Sequence, residues 1–228
     1  MQETREPQYQ DHLTLANQSG LQRLGLRANA TWHEDPKRLA FVLSRYKFVA
    51  KMLSGKNRVL EVGCGDAFGS RIVLQEVESL CAIDFDQIFV NDVKQRMVEA
   101  WNFECKWHDI LEKPVGKEFD GAYALDVLEH IPKEDEQRFM KNVIASLHVE
   151  GVLIIGVPSL QSQAYASEGS KIGHVNCKPH VELKALMQKY FSNVFLFSMN
   201  DEVVSTGFYP MAHYLFALCV GKRDYAGI

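Results

Sequence analysis

VLEVGCGDAFGS, residues 59–70, decides the fold: an apolar, β-branched run ends at Gly63, and Gly63, Gly65 and Gly69 stand between it and a helical pattern. A strand that empties into such a turn lets the backbone bend tightly and approach a ligand, because no β-carbon intervenes. The spacing is GxGxxxG rather than the GxGxxG of dinucleotide binding, and Glu61 and Asp66 stand where a pyrophosphate would meet further negative charge. A ligand without phosphates fits better, and an acidic loop suits a zwitterionic amino-acid tail with a sulfonium.

Outward from this loop, short apolar runs alternate with helical spacing. The pattern predicts strands at 58–62, 79–84, 103–107, 119–125 and 151–157, with helices near 68–77, 87–101 and 134–147. Such alternation implies a parallel sheet covered by helices on both faces. Upstream, Asp35 and Pro36 start a helix on which Leu39, Val42, Tyr46, Val49, Ala50 and Leu53 share a face, and Gly55 stops it. Residues 1–30 are polar and weakly periodic and read as a flexible arm, or a lid that orders over a ligand. The organisation expected is an N-terminal arm and docking helix over 1–54, then one main domain over 55–228. Beyond Pro158, LQSQAYASEGSKIG (160–173) is too long and polar for a routine connection and reads as a substrate loop. A helix near 180–190 follows, then NVFLFSM (193–199) and HYLFALCVG (213–221), read as a closing antiparallel pair.

The 228 residues, 46% hydrophobic and 24% charged, suffice for one sizeable core. The net charge of -4 and the lack of a long basic run disfavour nucleic acid and leave small molecules as partners. Five cysteines without a CxxC pair indicate reduced thiols. With a polar start and no run of spanning length, the expectation is a soluble cytoplasmic protein without membrane contact, for which a homodimer is admissible.

Asp84 ends the second strand about 20 residues past the glycine loop, where a carboxylate can accept both hydroxyls of a ribose. Asp109, in WHDI, is placed to accept from an adenine amino group with Ile110 on the ring; a turn or capping role is its alternative. Together VLEVGCGDAFGS, CAIDF, HDI, FDGAYALDVLEHI and GVLIIGVPS resemble the successive motifs of class I S-adenosylmethionine-dependent methyltransferases, over about residues 55–222. DVLEHI is similar to the small-molecule group that includes the ubiquinone-biosynthesis O-methyltransferases. The resemblance implies an α/β, Rossmann-like, doubly wound seven-stranded sheet, mostly parallel with an antiparallel last strand. It also implies S-adenosyl-L-methionine as cofactor, with Gly63 and Gly65 beside the methionine part, Asp84 on the ribose, Asp109 and Ile110 at adenine, and Leu125 beside the sulfonium. Glu61 and Phe85 complete the expected cofactor-binding set.

Methyl transfer needs an aligned nucleophile, and a base only where that nucleophile must lose a proton. His130 and His174 are the candidate bases, with His180, His213 and His33 behind them. A helical turn at Asp126-Val-Leu-Glu129-His130 would align Asp126, Glu129 and His130, and His174 would complete a four-ligand site for Mg, Mn or Zn. That set resembles metal-dependent small-RNA 2'-O-methyltransferases; the leading reading needs no metal, and Glu129 and His130 then orient the loop. Trp32 and His33 read as a lid or a core edge, Arg45 and Lys47 as a solvated helix face, and Asp201-Glu202 as substrate contacts or a hairpin turn. The expected reaction is O-methylation of a polar, sugar-like small molecule. N-methylation, metal-assisted O-methylation, a non-catalytic adenosylmethionine-binding module and a dinucleotide-binding protein are the alternatives. A nucleic-acid enzyme is disfavoured, since no base-flipping NPPY-like segment is present.

Overall fold

A computed structural model describes residues 3–223, so the outer ends of the two expected segments, 1–2 and 224–228, lie outside the described residues. In chain order the elements are α1 (Gln10–Ser19), α2 (Leu26–Glu34), α3 (Lys37–Met52), β1 (Arg58–Val62), α4 (Ser70–Leu74), β2 (Ser79–Asp84) and α5 (Gln87–Arg96). There follow β3 (Glu104–Trp107), β4 (Phe119–Leu125), α6 (Glu136–Ala145), β5 (Leu147–Pro158), α7 (Glu168–Gly173), α8 (His180–Gln188), β6 (Phe191–Asn200), β7 (Val203–Ser205) and β8 (Tyr214–Lys222). No helix among the described residues is long and apolar enough to cross a membrane.

The strands form one sheet in the order β3-β2-β1-β4-β5-β8-β6-β7. Pairings among β1 to β5 are parallel, and β8 runs antiparallel to both β5 and β6. Alternation along each strand splits the core in two. Leu60, Val62, Ala122, Ala124, Leu153 and Ile155 face α6 and α8, while Val59, Tyr123, Leu125 and Ile154 face α3 and α4. The docking helix therefore shares its core with the sheet, through Val49, Ala50 and Leu53.

Two expectations require correction. The sheet has eight strands rather than seven, because Asp201 adopts a left-handed φ of 49° and folds Val203–Ser205 back on β6; the hairpin reading of Asp201-Glu202 holds. Of the stretch read as a flexible arm or a lid, residues 3–30 carry α1 and the start of α2 and so are not an unstructured arm. The reason lies far along the chain: Asp66 Oδ2 accepts from the Ala28 amide at 2.7 Å, and Asp92 Oδ2 from the Leu26 amide at 3.3 Å. Carboxylates satisfy the free amides of a helix start and its positive end. A β-carbon on Gly25 would lie 2.3 Å from Asp66 Oδ2, so glycine is what permits this approach.

Candidate active site

Strand order reverses between β1 and β4, and in such sheets a crevice opens beyond the carboxyl ends of the strands at that point. Gly63 and Asp126, the residues that follow these two strands, both have positive φ, 71° and 56°. A β-carbon on Gly63 would come within 2.5 Å of Val127 Cγ2, so the two turns touch only because this position is glycine.

A cavity of about 610 Å³ lies over the β1 turn, lined by Gly63, Gly65, Asp84, Phe85, Asp109 and Ile110 among others. Its size falls within the range of about 300–1,000 Å³ usual for small ligands. Asp84 is 7% exposed, and its oxygens accept from the Gly65 amide at 2.8 Å and the Asp86 amide at 2.9 Å. The carboxylate thus holds the glycine loop, and each oxygen keeps a lone pair for a ligand hydroxyl. Asp109 Oδ1 accepts from the Leu111 amide at 2.8 Å, a turn role that coexists with its place in the lining. Two members of the expected set do not reach this cavity. Leu125 is buried on the opposite face of the sheet, next to Gly156, and Glu61 lies beneath the glycine loop.

Glu61 is 2% exposed and accepts from Ser70 Oγ and, at 3.1 Å, from Tyr46 Oη. Burial pushes its pKa up to about 7 against the opposing pull of these bonds. A carboxyl raised from its ordinary value of 4.5 stabilises the fold fully below that value, and the contribution disappears as pH rises through about 7. The ligand-free protein should lose about 3 kcal/mol between roughly pH 5 and pH 8 from this group alone. Urea denaturation of Glu61→Gln across the same interval should give a visibly flatter profile; parallel profiles would remove Glu61 as the source.

A second cavity of about 750 Å³ opens on the other side of the β4 turn, and Arg27, Asp126 and His130 line both. Asp126 does not join Glu129 and His130 on one face, as the sequence suggested. Its positive φ and the short 3-10 turn Leu128–His130 replace the expected α-helical turn, and both its oxygens accept from Arg45 Nη1, at 2.9 and 2.7 Å. Arg45 is 7% exposed, with its guanidinium 3.8 Å from the centre of the Tyr214 ring. It is an internal cation and not part of a solvated face.

Glu129, His130 and His174 do converge, one ligand atom from each lying within 4.8 Å of the others. Both carboxyl oxygens of Glu129 are buried and have no hydrogen-bond partner. Burial, then repulsion from Asp126, hold its pKa well above the carboxylate range. His130 Nδ1 donates to the Gly173 carbonyl at 2.8 Å, and His174 Nδ1 faces Gln163 Oε1 at 2.7 Å. With Nδ1 protonated, Nε2 carries the lone pair on each ring. Burial and neighbouring His130 lower the His174 pKa, which keeps that imidazole neutral.

The 160–173 loop contributes Gln161, Gln163, Tyr165 and Ser167 to this second cavity, and His213 lines it from the start of β8. His180 instead stacks on Tyr209, and Asn176 is buried against Glu136. Trp32 is 54% exposed and, like His33, lines neither cavity; the contribution of that segment is Arg27. Arg27 and Arg38 were not recognised from sequence, and Arg45 was read as a solvated helix face in preference to an anion clamp. For two of them a signal existed, because Arg38, Val42, Arg45 and Val49 form one stripe of α3 at helical spacing.

Residues 59–151 match a family model described as a methyltransferase domain. A probable S-adenosylmethionine-dependent methyltransferase of Mycobacterium tuberculosis is 26% identical over 102 residues, 44% of this chain. The match spans only 35% of that relative. Among solved structures, N-methyltransferase NodS of Bradyrhizobium japonicum, bound to S-adenosyl-L-homocysteine, superposes with a TM-score of 0.62 at 16% identity, covering 83% of this chain and 90% of its own. The small RNA methyltransferase HEN1 gives 0.64 at 15% identity, over 81% of this chain and 26% of its own. At these identities the structural likenesses establish the fold.

Proposed function

We propose that the chain is a class I S-adenosylmethionine-dependent methyltransferase, a reading supported by the methyltransferase-domain match over residues 59–151 and by the mycobacterial relative, and that it methylates a hydroxyl of a polar small molecule seated in the larger cavity. The observation that carries this reading is His130, which lines both cavities and has Nδ1 tied to a carbonyl so that Nε2 is free. S-Adenosylmethionine supplies a methyl group on a sulfonium, which any aligned nucleophile can accept. In the smaller cavity Gly63 and Gly65 would admit the amino-acid end, Asp84 would accept from the ribose hydroxyls, and Phe85, Asp109 and Ile110 would hold the adenine. With S-adenosylmethionine bound, the methyl carbon would pass from sulfur to the acceptor oxygen, leaving adenosylhomocysteine, and His130 Nε2 would take the hydroxyl proton, with the His174 ring beside it at a centroid separation of 5.1 Å. Five unpaired thiols support a cytoplasmic setting.

Release of adenosylhomocysteine, followed over matched hydroxyl and amine acceptors, tests this. Hydroxyl acceptors should turn over in the wild type, with losses of about 10²–10⁴-fold in kcat for His130→Ala, as for other positioned bases. Full activity in the His130→Ala/His174→Ala double variant would sink the base-dependent reading and favour an amine that arrives already deprotonated.

A second reading, metal-assisted O-methylation, is favoured by the unpartnered oxygens of buried Glu129 beside two imidazoles with free Nε2 atoms. One carboxylate and two imidazoles suit a divalent transition ion, and Glu129, His130 and His174 are its ligands, without Asp126. Bound metal would draw the Glu129 carboxyl into its ionised form and polarise the acceptor oxygen. Metal analysis after dialysis against zinc or manganese should find about one ion per chain, absent from His174→Ala. Equal content in both proteins would discard this reading.

A further inference from the structure

We propose that the acceptor carries an anionic group, a carboxylate or a phosphate, and that Arg38 binds it at the mouth of the larger cavity with Arg27 beside it. This rests on the assignment of that cavity to the acceptor. The charged groups facing the cavity are Arg27, Arg38, Arg45, Asp35, Asp126 and Glu129, together with His130, His174 and His213. Arg45 and Asp126 are bonded to one another, which leaves Arg27 and Arg38 as the exposed cations of the lining.

These two arginines are also the ones with donors to spare. Arg38 lines the cavity, and its guanidinium makes no ion pair or hydrogen bond among the described residues. Arg27 is half-exposed, and the nearest carboxylate oxygen, on Asp126, is 3.9 Å away, beyond a hydrogen bond. A planar guanidinium fork with free N–H groups matches a carboxylate or phosphate in two-point contact. Phe41, Val42 and Met211 add apolar surface to the same lining. The cavity therefore suits an organic anion whose charge sits at Arg38 and whose body reaches inward to His130.

The probes are inorganic phosphate and benzoate, each titrated into the adenosylhomocysteine-loaded protein and followed by calorimetry, with adenosylhomocysteine titrated first. One anion should bind saturably and identify the group, phosphate pointing to a phosphorylated acceptor and benzoate to a carboxylated one. Arg38→Gln should weaken it by about tenfold or more, Arg38→Lys by less, and Lys117→Gln on the exposed surface not at all. Saturable binding of neither anion, or equal binding by wild type and Arg38→Gln, overturns the proposal. If adenosylhomocysteine binds and the anions do not, the methyltransferase reading stands and only the anionic acceptor fails. If adenosylhomocysteine itself does not bind, both fall.

Discussion

Asp84→Ala should lower the affinity for adenosylhomocysteine by about 10²–10⁴-fold, because a charged acceptor contributes roughly 1.5–3 kcal/mol per hydrogen bond and two ribose hydroxyls are within its capacity. The carboxylate has a second task, since its oxygens hold the amides of Gly65 and Asp86. Alanine thus removes the ligand contacts and releases the loop that shapes the cavity. Asp84→Asn separates the two effects: one oxygen remains to accept, the charge is gone, and the loss should fall between alanine and wild type. Calorimetric titration of the three proteins reads this directly, with circular dichroism confirming that the sheet is retained. An affinity unchanged within about threefold in Asp84→Ala would leave the smaller cavity without its cofactor assignment.

What was legible in the sequence follows the range of the interactions involved. β1, β2 and β4 stand at their expected bounds, because a short continuous apolar run between polar residues is a local signal. Gly63 and Gly65 declared themselves for the same reason: a positive φ is a demand of single residues. The order of α2 was invisible, since the caps that steady it, Asp66 and Asp92, are 38 and 66 residues away in sequence. Asp126 was drawn into a metal set because an i, i+3, i+4 spacing presumes an α-helical turn, whereas its left-handed backbone aims the carboxylate at Arg45, 81 residues distant. Glu129, His130 and His174 do converge, but Glu129 and His130 reach the cluster from a 3-10 turn rather than from the α-helical face that the spacing presumed.

Arg45→Met should destabilise the protein by about 3 kcal/mol at neutral pH, near the lower end of what breaking a buried ion pair costs, because Arg27 at 3.9 Å partly stands in. For a chain of this length, that corresponds to a fall in Tm of roughly 6–12 °C. The pH dependence identifies the cause. In the wild type, burial pushes the Asp126 pKa up, but Arg45 and then Arg27 outweigh it and hold the carboxyl below its ordinary value. A depressed pKa contributes stability that is complete above about pH 4, the unfolded value, and lost as pH falls through the folded one. Without Arg45 the burial contribution prevails, so the native variant takes up a proton more readily than its unfolded chain and gains stability relative to wild type on acidification. The gap in urea midpoints should therefore narrow between about pH 7 and pH 4, and Arg45→Met/Asp126→Asn should be more stable than Arg45→Met alone. A gap constant with pH would mean that Arg45 acts through its packing on Tyr214, leaving the Asp126 turn between the two cavities to be held by other contacts.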